Sequence, residues 1–135
     1  MAEYLLRKRL GTGSRWTAES AGVAAMAGLA ASAEAIAVLA ERGIDMNGHL
    51  SRPADEKQIA SASLVVVMTA SHAEQLRELF PRAVDDKVFV LKSFGPEAGG
   101  DIEDPIGMSL EAYRAVRDEI GASLPGLMEF METLK

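Results

Sequence analysis

The sequence predicts an α/β fold, an open parallel sheet with flanking helices. SLVVVMT (63–69) and KVFVL (87–91) are short, unbroken apolar runs of largely β-branched type. Such runs mark strands buried on both faces, hence a parallel sheet. Helix-period segments alternate with them, the order of βαβ units with right-handed crossovers. The chain has 135 residues, 48% hydrophobic and 25% charged. That fits one domain over 1–135 that buries about two-thirds of its surface.

The elements follow in order. Ala2, Leu5, Leu6 and Leu10 sit at helical spacing, with Gly11 and Gly13 as the stop. This helix begins with no Ser, Thr, Asp or Asn to cap it, and a start ammonium opposes its dipole. RWTAESAGV (15–23) alternates Trp16, Ala18 and Ser20 against Arg15, Thr17 and Glu19 and reads as a strand. AAMAGLAAS is small and ambiguous. Ser32 caps a helix to Arg42, with Ile36, Leu39 and Ala40 on one face and Gly43 as the stop.

GIDMNGHLSRP is a loop, and PADEKQIASA a short helix with Asp55 and Glu56 in its first turn. Ser71 and Glu74 form a capping box for a helix to about Phe80. A Gly/Pro-rich loop follows the second buried run. The last helix starts at Ser109 and buries Leu110, Tyr113, Val116 and Ile120, until Pro125 kinks or breaks it.

Fourteen basic and twenty acidic residues give a net charge of -6. Such a surface repels nucleic acid, and no basic stripe interleaves with aromatics. No apolar run approaches the roughly 20 residues of a membrane span, and no signal-peptide pattern opens the chain. There are no cysteines, so disulfides and thiolate chemistry are excluded from these residues. The default is a cytoplasmic protein without cofactor or metal.

Asp104, in EDPIG, follows a strand and a glycine-rich loop, on the side where open α/β sheets place their sites. Pro105 restricts its backbone, and a carboxyl so held serves as a general acid if its surroundings raise its pKa. On local features alone, a plain turn starter ahead of a helix outweighs catalysis. His49 and His72 show neither metal spacing nor a triad, which favours structural or solvent roles. The glycines at 11 and 13 follow a helix rather than a strand, so they read as a stop and not a phosphate loop. Met108, Met128 and Met131 read as core filling. Arg7, Lys8 and Arg9 sit where a helix C-terminus welcomes cations.

MAEYLLRK, ESAGV, ASASLVVVMTASH, DKVFVLKSF and DIEDPIGMSLEAYRAVRDEI, in this order, resemble the low molecular weight protein tyrosine phosphatases, closest to the bacterial branch with protein-arginine phosphatases. The resemblance spans essentially the whole chain; D-P-x-G followed by a Tyr-x-x-x-Arg-Asp helix is its most specific part. It implies dephosphorylation of phosphoproteins, carrying phosphotyrosine or phosphoarginine, through a cysteinyl-phosphate intermediate. Asp104 matches the family's general acid. Ser20 matches a serine near its phosphate loop, a plain strand-end hydroxyl being an equal reading. Pro105 and Ile106 lie beside the substrate; Ile106 stands where tyrosine-specific relatives place an aromatic, which leaves phosphoarginine open.

In the family a strand and a C-x-x-x-x-x-R-S-P loop precede Met-Ala-Glu. The resemblance therefore implies that the first strand, the nucleophilic cysteine and the loop arginine are absent here. That strand lies centrally, between those at 15–20 and 63–69. Each backbone group left buried and unpaired by its loss costs about 1–3 kcal/mol. The expectation is a rearranged sheet, or one completed by a partner chain through its exposed edges. Two readings follow: a phosphatase-family chain inactive as given, or a non-catalytic pseudophosphatase that retains an interaction surface. Arsenate reduction on the same fold needs several cysteines and finds none. An in-frame C-x-x-x-x-x-R-S-P just upstream of Met1 is the discriminating observation.

Overall fold

The computed structural model describes residues 1–22, 27–97 and 99–134. The segment 23–26, with the end of the expected strand and part of the ambiguous stretch, lies outside the described residues. Helices α1 (Ala2–Leu10), α2 (Ala33–Ala40) and α3 (Glu56–Ser61) precede strand β1 (Val65–Val67). Helices α4 (Ala70–Leu79) and α5 (Pro81–Val84) lead to β2 (Val88–Val90), and α6 (Leu110–Glu132) closes the chain. The chain forms two compact units: Met1–Pro53 with Asp104–Gly121, and Ala54–Glu103 with Ala122–Lys135.

In the second unit β1 and β2 pair in parallel, Val65 opposite Val88 and Val67 opposite Val90. The two apolar runs do make the parallel pair, but its ladder is three residues long and only Val67 and Val88 are buried. The helix after β1 is not capped by the Ser71–Glu74 box. Thr69 is its N-cap, its hydroxyl accepting from the His72 amide at 3.1 Å. The Asp101 carboxylate accepts from the Ala70 amide at 2.9 Å. Two of the free N–H groups of that helix end are thus satisfied, one of them by a residue distant in sequence. Asp55 likewise caps α3 rather than sitting in its first turn, accepting from the Gln58 amide at 2.7 Å. Phe89, Phe94 and Phe130 form an aromatic trio with ring centroids 5.1–5.8 Å apart. A Cβ at Gly126 would overlap the Phe94 carbonyl oxygen, so the helix backbone meets the 91–94 turn directly.

In the first unit α1 spans Ala2–Leu10, with Met1 at its cap and no side-chain cap bond. Gly11 ends it with φ +66°, a conformation that costs a residue without Cβ little. Helix α2 starts as the sequence predicts: Ser32 Oγ accepts from the Ala35 amide at 3.2 Å. Its buried face is Ala35, Val38 and Leu39, not Ile36, Leu39 and Ala40; Ala40 is exposed. Ala35, Val38 and Tyr113 form a core cluster against which Met1 and Leu110 pack.

No strand forms over the described part of 15–23. The alternation is present in burial, Trp16 and Ala18 being half-buried and Arg15, Thr17 and Glu19 exposed. Side chains rather than a ladder hold that backbone. Arg7 Nε donates to the Ala18 carbonyl at 3.1 Å and Arg52 Nε to the Ser20 carbonyl at 3.2 Å. Only Gly22 makes a bridge, parallel, to Pro53.

Pro125 does not break α6, which continues through it to Glu132. Proline removes the hydrogen bond that the carbonyl four residues earlier would accept. That carbonyl belongs to Gly121, and Arg9 Nη2 donates to it at 3.4 Å. Met131 fills core as expected, but Met108 is exposed.

Candidate active site

The Tyr-x-x-x-Arg-Asp stretch of α6 positions the site by anchoring α2. Arg117, 5% exposed, donates to the Val38 carbonyl at 2.9 Å and to Glu41 at 2.6 Å. The Val38 carbonyl lies in the last turn of α2, where backbone acceptors run short of intrahelical donors, and a cation suits the negative end of the dipole. Asp118 joins Arg117 and Arg42, at 2.9 and 3.1 Å, and its carboxyl is held below its usual range chiefly by the bond from Arg117. Arg114 grips Glu41 with Nε and Nη2, Nη2 at 2.8 Å, in the fork geometry that suits carboxylates. Those bonds from Arg114 and Arg117 lower the Glu41 pKa to about 2. One turn earlier, Tyr113 is 4% exposed and its hydroxyl accepts from Ser32 at 3.2 Å.

An open hollow of about 250 Å³ lies against this frame. Its lining includes Ser32, His49, Ser51, Tyr113 and the run Asp104, Pro105 and Ile106. The D-P-I-G stretch is a closed turn. The Ile106 amide donates to Asp104 Oδ1 at 3.1 Å, and the Met108 amide to the Pro105 carbonyl at 2.9 Å. Gly107 takes φ +77°, which a residue with a Cβ rarely adopts. Pro105 is buried while Asp104 and Ile106 are exposed. One carboxylate oxygen is thus occupied by the turn, and the carboxyl sits at the mouth of the hollow, where it can meet a ligand.

Ser20 is elsewhere: it is not in this lining, and its hydroxyl donates to Glu3. Glu3, whose side chain is 7% exposed, also pairs with Arg7 at 2.5 Å and lies 3.9 Å from His49 Nδ1. The His49 ring packs edge-on against Tyr4, centroids 5.3 Å apart. A solvent role for His49 therefore does not describe it: it is half-buried and bounds the hollow. Ser32, His49 and Tyr113 come from three separate segments, and no local spacing could have joined them to Asp104. Among the described residues no group of three or more His, Asp or Glu could hold a metal.

Solved structures place this architecture in a known class. The YwlE arginine phosphatase from Geobacillus stearothermophilus superposes with a TM-score of 0.86 at 39% identity, over 98% of this chain and 83% of that one. A low molecular weight protein tyrosine phosphatase from T. tengcongensis gives 0.87 at 38% identity, over 95% and 87%. The fold is that of the low molecular weight phosphatases.

The family model for low molecular weight phosphotyrosine protein phosphatase matches residues 1–135, and the chain belongs to that family. A protein-arginine-phosphatase of Geobacillus stearothermophilus is 42% identical over 115 residues, 85% of this chain and 76% of that protein. The protein-tyrosine-phosphatase Wzb of Escherichia coli (strain K12) is 33% identical over 98 residues, 73% of this chain and 65% of that protein. The resemblance read from the five sequence stretches is thereby established as family membership.

Proposed function

We propose that this chain, one domain over 1–135, is a protein phosphatase domain whose proton donor is Asp104 and whose substrate is a phosphoprotein carrying phosphotyrosine or phosphoarginine. The observation that carries the reading is the Asp104 carboxyl: exposed, fixed by the Ile106 amide, and set at the hollow. A carboxyl in that position can protonate a leaving oxygen or nitrogen and then take a proton from water. Pro105 and Ile106 bound the same hollow and would border the substrate, while Ser20 supports α1 through Glu3. The 39% and 42% identities to arginine phosphatases favour phosphoarginine.

The 135 residues hold no cysteine. A thiolate is the nucleophile of a cysteinyl-phosphate step, and an acid alone does not form that intermediate. The chain as given therefore does not turn over phosphate esters, and its own contribution is the acid and the frame around it. Among the described residues no helix is long and apolar enough to cross a membrane, in keeping with a cytoplasmic place. The test is hydrolysis of p-nitrophenyl phosphate by the pure chain: the expected rate is the uncatalysed one. Turnover that Asp104→Asn abolishes would refute the inactive reading and uphold Asp104. Turnover indifferent to that change would refute both.

A further inference from the structure

Asn47 is the only asparagine in the chain, and a glycine follows it. Both residues are exposed. They are the central pair of a turn that the His49 amide closes on the Met46 carbonyl at 3.3 Å. Gly48 takes φ +84°, the value of the third residue of a type II turn. The turn borders the hollow: its two ends, Met46 and His49, both belong to the lining.

The structure leaves this pair open to reaction. The Gly48 amide donates to no group among the described residues. A Cβ built on Gly48 would meet no atom within 4 Å, so nothing crowds the nitrogen. Asp45 Oδ1 accepts from the Asn47 amide and from Asn47 Nδ2, each at 2.9 Å, which folds the carboxamide back along its own main chain. Asparagine is among the thermolabile residues. Here the attacking nitrogen and the carboxamide carbon are neighbours on one chain, so they react without an encounter step.

We propose that Asn47 is a site of spontaneous deamidation and isomerisation that remodels the Met46–His49 edge of the hollow. The Gly48 nitrogen bonds to Asn47 Cγ, the Cγ–Nδ2 bond breaks, and ammonia leaves carrying the amide proton. Water then opens the succinimide. Cleavage between the ring nitrogen and Cγ gives aspartate; cleavage between that nitrogen and the main-chain carbonyl carbon gives isoaspartate. The balance is one water consumed and one ammonia released.

Both products strain the turn. The new carboxylate stands beside Asp45, where Nδ2 had donated, and a like-charge repulsion replaces a hydrogen bond. Isoaspartate also routes the main chain through Cβ and Cγ, which inserts one carbon between Met46 and His49. The bond that closes the turn then loses its geometry, and the His49 ring loses its place against Tyr4.

The test ages the folded 135-residue chain at pH 7 and pH 8 and follows the mass of the peptide that holds Asn47. That peptide is expected to gain the mass of one amide-to-acid conversion, with isoaspartate as the main product. The gain should be about tenfold faster at pH 8, because the attacking amide must first lose its proton to hydroxide. The urea-unfolded chain, run alongside, reports the unprotected rate. A folded chain that keeps its mass, or reacts more than tenfold slower than the unfolded one, would overturn the proposal. So would a gain that persists in Asn47→Gln, whose longer side chain closes the ring poorly. In nitrogen-15 spectra the aged chain should shift the amides of Met46, His49 and Tyr4. Aged protein in which these stay in place would overturn the remodelling.

Discussion

The two compact units use the same two devices in different proportion; among the described residues of the second a charged grip, Lys87 on the Ala60 and Ala62 carbonyls, supplements the apolar core. The unit of Ala54–Glu103 and Ala122–Lys135 rests on apolar burial: Leu91, Ile102, Leu124 and Leu127 are 1–2% exposed, and three phenylalanines interlock. The unit of Met1–Pro53 and Asp104–Gly121 also buries Val38 and Leu39, yet its segments are joined by charged side chains gripping backbone carbonyls. Arg7 holds Ala18, Lys8 holds Arg42, Arg52 holds Ser20 and Arg117 holds Val38. This is also the unit with the hollow. A site must leave surface open, so loops there cannot be fixed by burying apolar area; directional bonds to the backbone fix them instead.

The contrast can be broken by mutation. The largest effect is expected in the apolar unit. Leu124→Ala should destabilise the protein by about 2–5 kcal/mol in urea unfolding, the range for a buried leucine. Arg117→Met should cost less, about 1–3 kcal/mol, because it leaves the buried Val38 carbonyl without its donor. If both changes cost the same few tenths, the division of forces is wrong.

Acid should separate the units further. The Glu41 pKa falls from 4.5 to about 2 on folding, chiefly through its bond from Arg114. A lowered carboxyl pKa stabilises the folded state fully above its unfolded value and loses that contribution as pH falls through the folded one. The melting temperature should therefore drop between pH 4.5 and 2, and Glu41→Gln should flatten the profile in that window. The smallest change is expected for Glu19→Gln, which leaves the Arg52 bond to the Ser20 carbonyl in place. The pair of Glu19 with Arg52, at 2.8 Å, is exposed on both sides. A loss of about 0.2–1 kcal/mol, shrinking in high salt, is the range for such pairs.

The same contrast explains which parts were legible in the sequence. Apolar runs and helix starts are local signals, and they yielded α1, the Ser32 cap, the β1–β2 pair and the start of α6. The segment 15–23 misled because a period of two reports which side chains face inward and says nothing about a ladder partner. The expected break at Pro125 did not occur, and the donor that serves the Gly121 carbonyl, Arg9, lies 112 residues away in sequence. The Ser71–Glu74 box was outcompeted by Thr69, which has Asp101 to share the helix end. At the site, Asp104, Pro105 and Ile106 were legible as one short motif. Ser32, His49 and Tyr113 were not, since only the folded chain makes them neighbours.

Gly126 offers a last consequence. Its backbone stands where any larger residue would strike the Phe94 carbonyl. In a library randomised at that codon and selected for folded protein, one amino acid should survive, so the position can serve as an internal standard for how stringent the selection was.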